Sequence, residues 1–351
     1  MIALDEKIYF KNKKSTKINN KILSRYFIKL LSLFLLFFLF VLFQFFQNVS
    51  GVYNNIKYNN HKYNNNKYNK NKTMNFCCFV GVAKLENLYA RDLVQHYLSI
   101  GFEKFYLGDD NFIGSEKLSD VLQDYMDEGI VEILDIRGKN WTQEYFYQYA
   151  FDIGKKDCKW MAFYDFDEQL EFNNKSMNIK SYLSMKQFNK CDVVKIHWLM
   201  FYDNDLVHYD NRTLKERFTK PAYNSIENRF HKSIVRAKNY SGILWSSRTG
   251  PHQPKEELVN MCDAVGNLAN VPHGILGTKN YKYGHLNHYT RKTIEEFIQK
   301  IKKGHFQGTK FNYQERLKTF FTYDKYTPEK AQVVEKLLNI TPEKLQEIIH
   351  K

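Results

Sequence analysis

From Asn75 onward the chain alternates strand-like and helix-like segments, and this alternation restricts the folds open to it more than any other feature. "FCCFVGVAK" (76–84) is an apolar run of strand length. In "YARDLVQHYLSIG" (89–101), Leu93, Tyr97 and Leu98 share one helical face and Gly101 ends it. "EKFYLGDDN" (103–111) reads as a second strand that closes on acids. "SEKLSDVLQDYMDEG" (115–129) predicts a helix with Ser115 as N-cap and Gly129 as stop. "IVEILDIRG" (130–138) is a third strand, 142–154 suits another helix, and "WMAFYDFDE" (160–168) is a fourth strand. The order predicts an α/β domain with a mainly parallel central sheet, because parallel neighbours need crossovers and helices supply them.

Ligands of such sheets bind beyond the carboxyl ends of the strands. Here Asp109 and Asp110 end the second strand, Arg137 follows the third, and Asp165 and Asp167 end the fourth. The apolar stretch Trp160–Tyr164 runs straight into Asp165, Asp167 and Glu168. Acids at the end of a buried strand are costly without a positive partner. Alternate residues of extended chain point the same way, so Asp165 and Asp167 can share a divalent ion. Hard oxygen donors suit Mg²⁺ or Mn²⁺, which bridge diphosphates and stabilise a departing nucleoside diphosphate. A bare Asp-x-Asp is common and usually only a solvated turn; its place after the most apolar strand favours the metal. No GxGxxG follows the first strand and no GxxxxGK[ST] occurs, which argues against dinucleotide and P-loop binding.

The first 74 residues differ in texture. Residues 30–46, "LLSLFLLFFLFVLFQFF", are almost wholly apolar, and with Tyr26–Ile28 they are long enough for one membrane helix. We expect a basic tail over 1–25, a single-pass anchor over 26–47 and a flexible Asn/Lys/Tyr-rich stalk over 48–74. The Lys/Arg bias points to a cytosolic N-terminus, and a bacterial inner membrane and a Golgi-type membrane both fit. The formal net charge of +14 is concentrated in this region, so nucleic acid is not an expected partner. The five cysteines lack any CxxC pair, which argues against a disulfide framework; free core thiols are the expectation, with a single bridge left open. Cys77 and Cys78 are expected on opposite faces of one strand.

Five blocks in order resemble glycosyltransferases of the family-2-like and family-92 group. They are "AKLENLYARDLVQHYLSIGFEKFYLGDDN" (83–111), "WMAFYDFDEQLEF" (160–172), "HWLMFYDND" (197–205), "NRFHKSIVR" (228–236) and "LNHYTRKTIEEFIQKIKKG" (286–304). Gln169-Leu170 and Tyr202 depart from the family pattern, at positions that bear on packing more than on metal chemistry. The resemblance implies a GT-A fold over 75–310, followed by a helical tail over 311–351. It also implies a nucleotide-sugar donor and a divalent cation. Asp165 and Asp167 match the metal–diphosphate motif, and His288 matches the histidine of the His-Tyr block, as a third ligand or diphosphate contact. Glu86, Asp109 and Asp110 match positions near the nucleoside, and Arg137 is a candidate phosphate contact. The acceptor would be a glycan, glycolipid or glycoprotein.

Inverting transfer, the expected outcome, needs a base near the acceptor hydroxyl. His252, Glu256 and Asp263 are available, and Glu168 supports the loop or the acceptor side. Trp198 and Trp245 read better as packing than as sugar platforms, and Lys292, Lys300, Lys302 and Lys303 as a solvated helix face. Two other functions use the same features: a non-catalytic carbohydrate- or nucleotide-binding protein, and a metal-dependent nucleotidyltransferase.

Overall fold

The computed structural model describes residues 73–350 except 238–243, 246–249, 251, 256–259, 270–278 and 305–311. The expected tail, anchor and most of the stalk lie outside the described residues. Among the described residues no helix is long and apolar enough to cross a membrane.

Strands β1 (Asn75–Ala83), β2 (Lys104–Asp109), β3 (Val131–Asp135) and β4 (Cys158–Phe163) pair in parallel in the order β3-β2-β1-β4. Helices α1 (Asn87–Ser99), α2 (Leu118–Asp127) and α3 (Gln143–Gly154) make the crossovers, and the short α4 (Ile179–Leu183) and α5 (Leu214–Arg217) follow later in the chain. The sheet then changes character. β7 (His231–Arg236) lies antiparallel to β4 and to β6 (Val193–Met200). β9 (Gly284–His288) runs parallel to β6 and antiparallel to β5 (Glu168–Phe172), and the short β8 (Met261–Cys262) pairs with β6. The observed sheet is therefore mixed. The expected parallel half is present, and the antiparallel half follows a chain reversal at Asp165–Asp167 that local alternation does not announce.

Both faces of the sheet are buried. Along β1, Cys77 and Phe79 face one core with α1, while Cys78, Val80 and Val82 face a second core with α3. That is the alternation a strand imposes. It also sets the disulfides. Cys78 bonds Cys158 on the α3 side, and Cys191 bonds Cys262, leaving Cys77 as a buried free thiol. The expectation of free thiols is corrected: sequence separations of 80 and 71 carry no local signature. The N-cap of α2 is Lys117, not Ser115.

The C-terminal segment folds onto the sheet domain. Helix α6 (Ile294–Lys303) presents Ile294, Phe297, Ile298 and Ile301 to one apolar cluster. Helices α7 (Tyr313–Tyr323), α8 (Pro328–Leu338) and α9 (Pro342–His350) complete that cluster with Leu317, Phe320, Val334 and Leu345.

Candidate active site at the strand ends

β4 stops at Phe163, and residues 164–167 turn the chain into β5. The turn is closed from both sides: Glu168 N donates to Asp165 O at 3.1 Å, and Asp165 N donates to Glu168 Oε2 at 2.9 Å. Three further elements converge on it. β7, antiparallel to β4 with Phe163 opposite Ser233, begins beside the turn and brings Lys232. β9 ends there, with His288 opposite Glu168. The segment from β9 through α6 adds Lys292 from the loop and Lys300 from the helix.

Asp165 is held by its neighbours. Its Oδ2 lies 2.7 Å from Lys232 Nζ, and its Oδ1 accepts from Gln143 Nε2 at 2.8 Å and Tyr147 OH at 3.4 Å. Burial raises its pKa, but Lys232 outweighs burial and leaves the carboxyl below the ordinary range. Asp167 is held by two lysines on one oxygen: Oδ2 is 3.1 Å from Lys292 Nζ and 2.8 Å from Lys300 Nζ. Its Oδ1 lies 3.5 Å from His288 Nε2, the outer limit of a hydrogen bond. Burial opposes ionisation here too, yet Lys292, Lys300 and His288 hold this acid well below its usual value.

Glu168 behaves differently. It is fully buried, its Oε1 is 3.8 Å from Lys232, and burial with the nearby Asp165 carboxylate pushes its pKa well up. It braces the turn, which agrees with the loop-support reading of its role. Two ionised carboxylates thus meet three ammonium groups, Lys232, Lys292 and Lys300. The positive partner demanded by the acids is supplied in part by the chain itself. The expectation of a solvated lysine face is corrected for Lys292, Lys300 and Lys303; of the four, Lys302 is the exposed one.

The other predicted residues divide. Asp110 lies 3.2 Å from Lys84 Nζ at the mouth of a cavity of about 790 Å³, whose walls include Phe112, Ile113, Lys139 and Trp141. Asp109 serves the fold: its oxygens accept from Asn111 N at 3.0 Å and from Leu118 N, the start of α2, at 2.9 Å. Helix starts need such acceptors. Arg137 forms a two-bonded fork with Asp135 at 3.0 and 2.6 Å. Glu86 pairs with Lys303 at 3.1 Å and borders a second cavity of about 410 Å³, lined also by Tyr89, Tyr209, Lys292 and Lys300. The two cavities flank the acids: Thr142 lines the first and its neighbour Gln143 binds Asp165, while Lys292 and Lys300 join the second to Asp167.

His252 stands near the same centre. Its Nδ1 is 3.1 Å from His231 O, which can only accept, so Nδ1 carries the proton and Nε2 the lone pair. Burial, reinforced by Lys232, lowers its pKa to about 4. Its ring and that of His288 both pack on Trp198, at 5.4 and 4.2 Å between centroids. Trp245 is buried against Tyr147 and Phe163. Asp263 is engaged in its own turn, accepting from Val265 N and Asn267 N, and Glu256 lies outside the described residues. Sequence reasoning missed Lys84, Lys232 and Gln143. Lys232 interrupts the apolar strand of "FHKSIVR", and a lysine inside such a strand is the one signal that could have marked it.

For a divalent ion, carboxylate and imidazole are suitable donors in kind. In number they fall short, because among the described residues no group of three His, Cys, Asp or Glu side chains is placed to hold one. Asp167 Oδ1 and the His288 ring are the donors with the fewest close partners; Asp167 Oδ2 is taken up by Lys292 and Lys300, and Asp165 by Lys232 and Gln143.

A mixed α/β sheet thus carries an acid pair, three lysines and two cavities at its strand ends. The chain belongs to glycosyltransferase family 92, whose sequence profile matches residues 76–319, and it is therefore a glycosyltransferase. No curated protein matches it. Among solved structures it shows a distant likeness to S. aureus TarS 1–349. One such structure is 10% identical, with a TM-score of 0.32, over 78% of this chain and 83% of that one. The UDP complex is 13% identical, with a TM-score of 0.34, over 75% and 71%. The UDP-GlcNAc complex is 11% identical, with a TM-score of 0.34, over 78% and 84%. So distant a likeness carries nothing about this chain's substrate.

Proposed function

We propose that the enzyme moves a sugar from a nucleotide-sugar donor to a glycan, glycolipid or glycoprotein acceptor, with inversion, on a GT-A-type fold. The observation that carries the reading is the Asp165/Asp167 pair, set among Lys232, Lys292 and Lys300 between two cavities at the strand ends. The larger cavity, with the rings of Phe112 and Trp141 and the Lys84–Asp110 pair, suits a nucleoside. The lysines suit a diphosphate. Asp167 and His288 would hold a divalent ion, Mn²⁺ or Mg²⁺, completed by ligands from the diphosphate. Such an ion, when bound, supplies Lewis-acid stabilisation to the leaving diphosphate. His252 Nε2 is the base we assign to the acceptor hydroxyl: it takes the proton while Nδ1–H stays on His231 O. Trp198 keeps the two histidine rings in place.

Two disulfides support an oxidising compartment for this domain. With the apolar stretch 26–47 and the basic residues before it, they favour a single-pass anchor with a cytosolic N-terminus.

The test is donor turnover. The full chain, in detergent with Mn²⁺ and a panel of nucleotide sugars, should release a nucleoside diphosphate. Release of pyrophosphate would favour a nucleotidyltransferase. Silence with every donor, from folded protein, would favour a binding protein.

A further inference from the structure

The backbone of Lys292 sits in the left-handed region at φ 57°. A non-glycine residue persists there only where its surroundings hold it. Here both neighbours are held. Arg291 is tied to Asp324. Thr293 caps α6 in a closed box: Glu296 N donates to Thr293 Oγ1 at 3.2 Å, and Thr293 N donates to Glu296 Oε2 at 3.2 Å. Glu296 is itself fixed by the buried Arg217 guanidinium, at the end of α5, through two bonds of 2.7 and 3.1 Å.

Tyr89 touches both parts of this arrangement. It comes from the first turn of α1, 207 residues before Glu296. Its hydroxyl donates to Glu296 Oε1, and its ring centre lies 4.7 Å from Lys292 Nζ. Both side chains are buried, and a cation over a ring shielded from water is held more firmly than at the surface. The same ammonium meets Asp167 Oδ2 at 3.1 Å. It is therefore shared by a carboxylate and an aromatic ring. An ammonium carries three N–H donors, and Lys292 also lines the 410 Å³ cavity.

We propose that Tyr89 is a positioning residue of the transfer reaction. Its hydroxyl braces the turn at Lys292 through Glu296. Its ring keeps the Lys292 ammonium beside Asp167, where that ammonium serves the diphosphate of the donor. The two parts of the side chain thus have separate effects. Loss of the hydroxyl weakens the fold, and loss of the ring weakens donor binding as well. The proposal rests on the nucleotide-sugar reading above.

It is tested by calorimetric titration of the full chain and its variants with UDP, GDP, ADP and CDP in the presence of MnCl₂, alongside thermal melts. Tyr89→Phe keeps the ring: it should melt lower, yet bind the wild type's nucleotide within about two-fold. Tyr89→Leu should melt lower too and bind that nucleotide about five- to thirty-fold more weakly, the span of a cation–π contact out of water. Lys292→Met should lose at least as much. The double variant Tyr89→Leu/Lys292→Met should bind no more weakly than Lys292→Met, because Tyr89 acts through Lys292. A merely structural tyrosine would give additive losses or none. Tyr89→Met serves if the leucine variant fails to fold. Unaltered nucleotide binding in Tyr89→Leu, equal losses in Tyr89→Leu and Tyr89→Phe, or additive losses in the double variant overturn the proposal and leave the donor reading standing. A wild-type chain that binds none of the four nucleotides overturns both.

Discussion

Arg291 Nε lies 2.9 Å from Asp324 Oδ2, so the end of α7 grips the loop that carries Lys292. Arg291 also reaches Glu227 at 3.3 Å and packs on the Tyr323 ring at 4.3 Å. Asp324 in turn accepts from Asp203 N at 2.8 Å, and Asp203 is paired with the buried Lys330. The described residues of the segment 311–351, expected as a tail, therefore fix a loop of the centre and share an apolar cluster with α6. Asp324→Ala leaves a buried arginine short of its partner and should cost about 3–5 kcal/mol. Denaturant unfolding would measure this, and kcat should fall with it. Removal of 312–351 should expose the α6 apolar face and yield no soluble enzyme. A truncated chain with wild-type activity would refute this role.

Asp167 should be needed for turnover and should shape the acid stability. Its carboxyl is held well below the usual range in the fold, so its stabilising effect is complete above about pH 5 and is lost as pH falls through the folded value. Asp167→Asn should lower kcat/KM by about 10²-fold or more, and the stability gap between variant and wild type should close as pH falls. Donor assays and thermal melts from pH 3 to 7 read the two effects. A constant gap across that range would rule out the linkage.

His252 offers a pH test of the base assignment. Burial and Lys232 lower its pKa to about 4, so it stays neutral, with Nε2 free, through the whole range above pH 5. The acid limb of kcat/KM should thus fall well below the ordinary histidine value of about 6.5. His252→Ala should remove that limb and about 10²–10⁴-fold of kcat, while nucleotide affinity holds. A limb that survives the substitution assigns the base elsewhere.

The disulfides bridge sequence separations of 80 and 71 residues. Chain-entropy reasoning gives about 4.5 kcal/mol for each, and such bridges typically contribute about 2–4 kcal/mol. Paired Cys78→Ser/Cys158→Ser and Cys191→Ser/Cys262→Ser variants should each melt several degrees lower, and dithiothreitol should shift the wild type and leave a four-serine variant unmoved. Mass spectrometry of unreduced peptides would identify the two bridges directly.

The parallel half of the sheet was legible along the chain because its helices and strands alternate in short, locally periodic segments. So was the rim position of Asp165 and Asp167, since a strand of apolar residues cannot continue through them. The five blocks also indicated a glycosyltransferase, and the family match bears this out. Asp109 looked like a ligand because it ends a strand; only the fold shows its oxygens accepting from Asn111 N and from the start of α2. Lys232, Lys292 and Lys300 were unremarkable as sequence. They come from 67, 125 and 133 residues beyond their acids, and an ion pair across such a distance leaves no periodic trace.

The sequence by itself determined the layered α/β plan and the placing of two acids at a strand end, because both follow from local periodicity and the cost of burying charge. Tertiary structure alone decided what answers that charge. The antiparallel return of β7 and the grip of α7 on the loop before α6 deliver three lysines to one turn, and electrostatics at a few ångströms depends on distance in space, which chain order does not encode.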